Sequence, residues 1–236
     1  MQRAVLFDLD DTLFDHRRSA REALRQVHRV HAAGFDFDAF EHQHARYLEE
    51  MHVEVLAGRV GLDDARRERF RRVFAALGVA LAPDVADAVA SAYREGYMTS
   101  RRALDGAAEL LAVLKPAARI AIVTNNLLDE QQDKLEYCGL APFVDVLVAS
   151  EDVGISKPAR GIFEIALARS GVTAESAVMV GDSWANDIEG ARGAGIAAVW
   201  FNPEHLPRPS NEDGVAEIDA LTPAPDVARV LLERLP

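Results

Sequence analysis

Ala4-Val5-Leu6-Phe7-Asp8-Leu9-Asp10-Asp11-Thr12 is the stretch on which the fold turns. Four apolar residues followed by turn-prone polar ones read as a buried strand ending at a loop. Open α/β sheets gather their ligands in a crevice at the carboxyl ends of strands, and that is where this strand delivers Asp8 and Asp10. Two carboxylates held so close repel each other, which favours protonating one of them or recruiting a cation. The pair is costly to build for stability alone, so its presence suggests chemistry.

Beyond Thr12 the periodicity becomes helical, from about residue 15 to residue 102. Ala20, Leu24, Val27 and Val30 recur at helical spacing before Gly34. A second stripe, Phe40, Tyr47, Leu48, Met51 and Val55, closes at Gly58, and a third, Leu62, Phe70, Val73, Phe74 and Leu77, at Gly78. Pro83 stands where a first-turn proline is tolerated, ahead of Val85, Val89, Ala92, Tyr93 and Tyr97. Four successive amphipathic helices predict a small bundle. From Asp105 onward helices and strands alternate, with strands expected at 120–123, 144–148, 177–180 and 196–200. Alternation of this kind predicts an α/β fold, a parallel sheet with helices on both faces. The first strand joins that sheet, so the helical block is an insertion after it. Residues 202–214 read as loop, and 225–235 as a surface helix.

Composition narrows the class. A chain of 236 residues, about half of them apolar, can bury a substantial core. No apolar run is long enough to span a bilayer, and the early strand leaves no room for a signal peptide. Cys138 is the only cysteine, which excludes an intramolecular disulfide and fits a cytoplasmic protein. The net charge of −12 argues against polymeric nucleic acid as partner without excluding small anions. Basic residues are nearly all arginine; Lys115, Lys134 and Lys157 are the exceptions, in keeping with a codon-usage bias.

Three further strand ends carry polar residues: Thr124-Asn125-Asn126, then Lys157-Pro158 shortly after the third strand, and Gly181-Asp182-Ser183-Trp184-Ala185-Asn186-Asp187. A parallel sheet places all of these along one edge. Each residue type suits phosphoryl transfer. A carboxylate can act as nucleophile and form an aspartyl-phosphate, and a second carboxyl two residues on can serve as acid and then base. Asp182 can join Asp8 in binding a hard cation through oxygen, with Mg2+ the natural candidate. Thr124 can hold phosphoryl oxygens, and Lys157 supplies a compact positive charge.

This set, in this order, resembles the haloacid dehalogenase superfamily, through DLDDT at 8–12, Thr124-Asn125, Lys157-Pro158 and GDSWAND at 181–187. The resemblance implies a Rossmann-like catalytic core, residues 1–14 and 103–236, and an inserted, mobile four-helix cap domain, residues 15–102. It makes Asp8 the nucleophile and a magnesium ligand, and Asp10 the acid/base with its backbone carbonyl on the metal. Thr124, Asn125 and Lys157 would bind phosphate, Asp182 would complete the metal ligands, and Asp187 would act on or near the metal's water shell. Dehalogenases lack an acidic residue at the place of Asp10, since halide departs without a proton, and Asp11 stands where sugar phosphomutases often carry glycine. The expected function is therefore magnesium-dependent hydrolysis of a small phosphorylated metabolite, of nucleotide or sugar-phosphate class. A dehalogenase or phosphomutase of the same fold, or a non-catalytic binding protein, is the alternative.

Other conspicuous residues have plainer readings. His28 and His31 lie one helical turn apart, a zinc-compatible spacing, but no Cys or acidic partner completes a set, and packing or solvation is the expectation. Arg66, Arg67, Arg69, Arg71 and Arg72 read as an exposed helix face, although an arginine there could grip a second anionic group of a substrate. Asp187 could equally be a first-turn residue favoured by the helix dipole. Asp11 and Asp15 read as turn or capping residues, and Trp184 as a packing residue.

Overall fold

The computed structural model describes residues 2–209 and 214–236. The chain divides into two compact units, Met1–Asp15 with Arg102–Pro236, and His16–Arg101.

The first unit is built on a six-stranded sheet in the order β3-β2-β1-β4-β5-β6, with every neighbouring pair parallel. The strands are β1 (Ala4–Phe7), β2 (Arg119–Thr124), β3 (Val146–Ala149), β4 (Ala177–Gly181), β5 (Ala197–Phe201) and β6 (Ala216–Ile218). β1 lies at the centre, with Leu6 level with Ala121 on one side and Met179 on the other. All four of its residues are fully buried, which is why it reads as a continuous apolar run rather than an alternating one. One face of the sheet, through Leu6, Val123 and Met179, packs on Ile162, Phe163, Ala166 and Leu167 of the helix Arg160–Ser170. That helix starts at Arg160, two residues after a cis Lys157–Pro158 peptide. β6 was not foreseen, because three residues with a central Glu217 carry no strand signal of their own. They extend the sheet only because β5 offers an unpaired edge. Of the segment 202–214 expected as loop, 202–209 has no helix or strand, and 210–213 lies outside the described residues. The expected terminal helix is Ala224–Leu232.

The second unit comprises α1 (His16–His31), α2 (Phe37–Leu56), α3 (Leu62–Ala76) and α4 (Pro83–Ser100). Asp36 caps α2 by accepting from the Ala39 N–H at 2.9 Å, and Pro83 opens α4 in its first turn. α1 and α4 cross closely because Gly96 has no side chain: a Cβ there would lie 3.2 Å from the Ala23 Cα. The core is aromatic, with Phe40 edge-on to Phe74 at 5.6 Å and Phe70 against Tyr93 at 5.4 Å. His28 packs between Phe37 and Phe40, its ring nitrogen 2.9 Å from the Phe35 carbonyl. Three readings need correction. Val30 and Val85, counted in the first and fourth stripes, are 75% and 40% exposed, and Arg69, counted on an exposed face, is buried. Arg69 lies over the rings of Phe70 and Tyr93, at 5.3 and 4.9 Å from their centroids. Such contacts return about 0.5–2 kcal/mol, less than the several kcal/mol that burying a lone charge costs.

Candidate active site

Four chain segments converge at the carboxyl edge of the sheet. Asp8 follows β1 directly, its N–H still donating to the Val180 carbonyl at 2.9 Å. The chain then turns sharply: the amides of Leu13 and Phe14 both donate to Leu9 O at 2.9 Å. Asp11 takes a left-handed backbone, φ 61°, a conformation that aspartate accepts more readily than most residues.

Lys157 occupies the middle of the cluster. Its ammonium donates to Asp8 Oδ1 and to Asp187 Oδ1, each at 2.6 Å, and all three side chains are buried. Burial disfavours the charge on Lys157, but Asp187 and Asp8 outweigh it and hold the ammonium above the ordinary lysine value. Burial pushes the Asp8 carboxyl well above its ordinary 3.8; Lys157 opposes the shift, while Asp187 and Asp182 reinforce it. Asn125 grips the lysine's backbone at two points, its amide donating to Lys157 O at 2.9 Å and its carbonyl accepting from Lys157 N at 2.7 Å. Asn125, expected from the sequence as a phosphate contact, thus bonds the backbone of Lys157 through both its amide nitrogen and its carbonyl oxygen.

Asp182 follows β4 and is held through its backbone. Its N–H donates to Thr12 Oγ at 3.1 Å and its carbonyl accepts from the Trp200 indole at 2.9 Å. Trp184 packs edge-on against Trp200, in keeping with the packing reading. Asp187 sits in a π-helical turn, Trp184–Glu189. The turn folds its carboxylate back so that Oδ2 accepts from Ser183 N at 3.0 Å. Gly181 makes room for this: a Cβ at that position would fall on the Asp187 side chain.

Asp8, Asp182 and Asp187 each offer a carboxylate oxygen within 4.8 Å of the others. When ionised, these three carboxylates with the one ammonium of Lys157 leave two negative charges uncompensated, and a donor set made only of oxygen suits a hard divalent cation. Asp187 has both oxygens engaged, by Lys157 and by Ser183 N, which suits it to holding Lys157 more than to direct coordination.

Beside this cluster lies a second one that the sequence reading missed. Asp10 accepts from the Lys134 ammonium at both oxygens, 2.6 and 2.9 Å. Gln131 and Asn126 also donate to its Oδ2, at 3.0 and 3.1 Å. Gln131 reaches Thr124 Oγ as well, at 2.7 Å. Gln131 and Lys134 are one turn apart on the helix Leu128–Tyr137, and both are buried. The Lys134 ammonium lies 5.0 Å from the Phe14 ring centroid. The scarcity of lysine was the one signal that could have led there, since nothing in the local pattern separates Gln131 or Lys134 from a solvated helix face.

Comparison with known proteins agrees with this geometry. The model of the haloacid dehalogenase-like hydrolases matches residues 2–195. A ribulose-1,5-bisphosphate 5-phosphatase from Halopiger xanaduensis is 33% identical over 207 residues, 86% of each chain. A glyceraldehyde 3-phosphate phosphatase from Methanopyrus kandleri is 32% identical across 98% of this chain and 99% of its own. Among solved structures, the HAD-hydrolase YfnB from Bacillus subtilis, bound to magnesium, superposes with a TM-score of 0.76 over 98% of both chains at 26% identity.

Proposed function

The chain belongs to the haloacid dehalogenase-like hydrolases, and on that premise we propose that it hydrolyses a small phosphomonoester through a phosphorylated Asp8, with Mg2+ as cofactor. The substrate class is a sugar phosphate or nucleotide, in line with the activities of the relatives. The observation that carries this reading is the pairing at one sheet edge of two aspartates with different surroundings. Asp8 is buried against Lys157, while Asp10 is partly exposed and held by Lys134, Gln131 and Asn126.

In the first step a carboxylate oxygen of Asp8 attacks phosphorus, the bond from phosphorus to the ester oxygen breaks, and Asp10 gives that oxygen its proton. In the second step Asp10 takes a proton from water, the water oxygen attacks the same phosphorus, and the Asp8–phosphate bond breaks to release phosphate. Lys157 stays charged beside Asp8 and offsets the negative charge that builds on the phosphoryl oxygens. Thr124 Oγ accepts from Gln131, which leaves its own O–H to donate to a phosphoryl oxygen. Asp8 and Asp182 would hold Mg2+, along with the Asp10 carbonyl that the family resemblance supplies; when bound, the ion lets a phosphate dianion approach a carboxylate-rich site. Asp10 favours phosphate over halide as leaving group, because halide needs no proton.

Phosphate release from a panel of nucleotides and sugar phosphates, measured with magnesium and with EDTA, tests the reading. Magnesium-dependent release is expected, with Asp8→Asn inactive and still folded. An Asp8→Asn protein of undiminished activity overturns the nucleophile.

A further inference from the structure

We propose that the helical unit carries an oxyanion-binding site of its own, in which Arg69, His44 and Tyr93 hold a free inorganic oxyanion. The three residues come from α3, α2 and α4. The Arg69 guanidinium and the His44 ring share the same two aromatic neighbours: Arg69 lies 5.3 Å from Phe70 and 4.9 Å from Tyr93, and His44 lies 5.4 and 4.9 Å from them. All three side chains are more than nine-tenths buried. Yet Arg69 Nε and His44 Nε2 have no hydrogen-bond partner among the described residues.

The charge pattern singles the place out. On the same helix Arg66 pairs with Asp63, Arg67 with Asp64, and Arg71 and Arg72 with Glu68. Those four reach water and could have done without a partner. Arg69, the most buried of the five, is the one with no carboxylate partner among the described residues. With the Tyr93 phenol neutral, the charged groups that bear on the three are all basic: Arg66 on Arg69, Arg69 and His16 on His44, and Arg69, Arg66 and Arg94 on Tyr93. A buried cation without a counter-ion is among the least favourable arrangements a fold can hold, and a ligand oxyanion supplies the missing charge. The chemistry of the donors fits one. Guanidinium presents a planar fork to two oxygens, and burial keeps the Tyr93 phenol protonated as a donor. Burial, with Arg69 and His16 beside it, keeps His44 neutral, so its Nε2 can carry a single N–H.

The occupant is a free inorganic oxyanion such as sulfate or phosphate, and the site does not rest on the phosphatase reading above. The test uses the full-length protein, with Arg69→Met to remove the charge at similar volume. In oxyanion-free buffer Arg69→Met is expected to melt at or above the wild-type temperature. Adding sodium sulfate, against sodium chloride at equal ionic strength, should raise the wild-type midpoint at least twice as much as that of Arg69→Met. Equal sulfate responses overturn the site. The catalytic cluster is the same in both proteins and cancels in that comparison.

Discussion

Replacing Lys134 by Met should damage the protonation of the leaving group and little else. In the structure the Lys134 ammonium meets both oxygens of Asp10, at 2.6 and 2.9 Å, whereas Gln131 and Asn126 both meet Oδ2. Without Lys134 those two amides leave the carboxyl free to swing about Oδ2. Misplacing a reacting group by about 1 Å costs roughly 10²-fold in rate, the low end of the 10²–10⁴-fold that general acid catalysis supplies. For an alkyl phosphate, whose alkoxide cannot depart without a proton, kcat/KM should therefore fall about 10²-fold, or ~2.7 kcal/mol of transition-state stabilisation. For p-nitrophenyl phosphate, whose phenolate leaves unprotonated, the fall should stay within about threefold. The assay is steady-state phosphate release from both esters, wild type against Lys134→Met, repeated in an Asp10→Asn background. There the lysine substitution should add nothing, because the group it positions is gone. Equal losses on the two esters, or a full further loss in the Asp10→Asn background, refute the reasoning, since Lys134 would then act through general charge or folding. The Asp10 side chain is 22% exposed, so losing this ion pair should lower unfolding stability by about 1–2 kcal/mol, less than for a fully buried pair.

Three further outcomes are expected. Gly181→Ala puts a methyl where the Asp187 carboxylate lies; the displaced Asp187 can no longer hold Lys157, and kcat should fall at least tenfold at a stability cost of about 1–3 kcal/mol, read by kinetics and urea denaturation. Asn125→Ala removes both bonds to the Lys157 backbone, at 2.9 and 2.7 Å. At about 1 kcal/mol each, kcat/KM should drop roughly 30-fold, and a drop below threefold would deny Asn125 its positioning role. His44 has its pKa lowered well below the ordinary 6.5 by burial, then by Arg69 and His16. Below pH 6.5 the unfolded chain therefore binds a proton that the folded one refuses, and stability falls as pH falls, until the folded histidine itself titrates. Denaturant unfolding between pH 7 and 5 should show a wild-type slope up to about 1.4 kcal/mol per pH unit steeper than His44→Phe, and parallel curves would show that His44 does not resist protonation.

The amino-acid sequence by itself settled five of the six strands and most of the helices. β1 could be read because four consecutive apolar residues buried on both faces admit few other interpretations, and the later alternation of helix and strand leaves the parallel arrangement as the economical one. It also named Asp8, Lys157, Asp182 and Asp187, because each follows a strand and a parallel sheet brings such ends to one edge whatever their separation in the chain.

Tertiary structure alone decided the rest. Whether Lys134 is a solvated lysine or the clamp on Asp10 depends on the rotation of the helix Leu128–Tyr137 about its axis, which no pattern within its ten residues specifies. β6 exists only as an addition to the edge of β5, and the π-helical turn that aims Asp187 at Lys157 depends on the bare surface of Gly181. In the helical unit Val30 was expected inside and is exposed, while His44 and Arg69 are inside. Hydrophobic periodicity predicts which face of a helix avoids water on average. It is blind to a polar side chain whose burial is supported by aromatic rings on two other helices, because those rings become its neighbours only when the chain has folded.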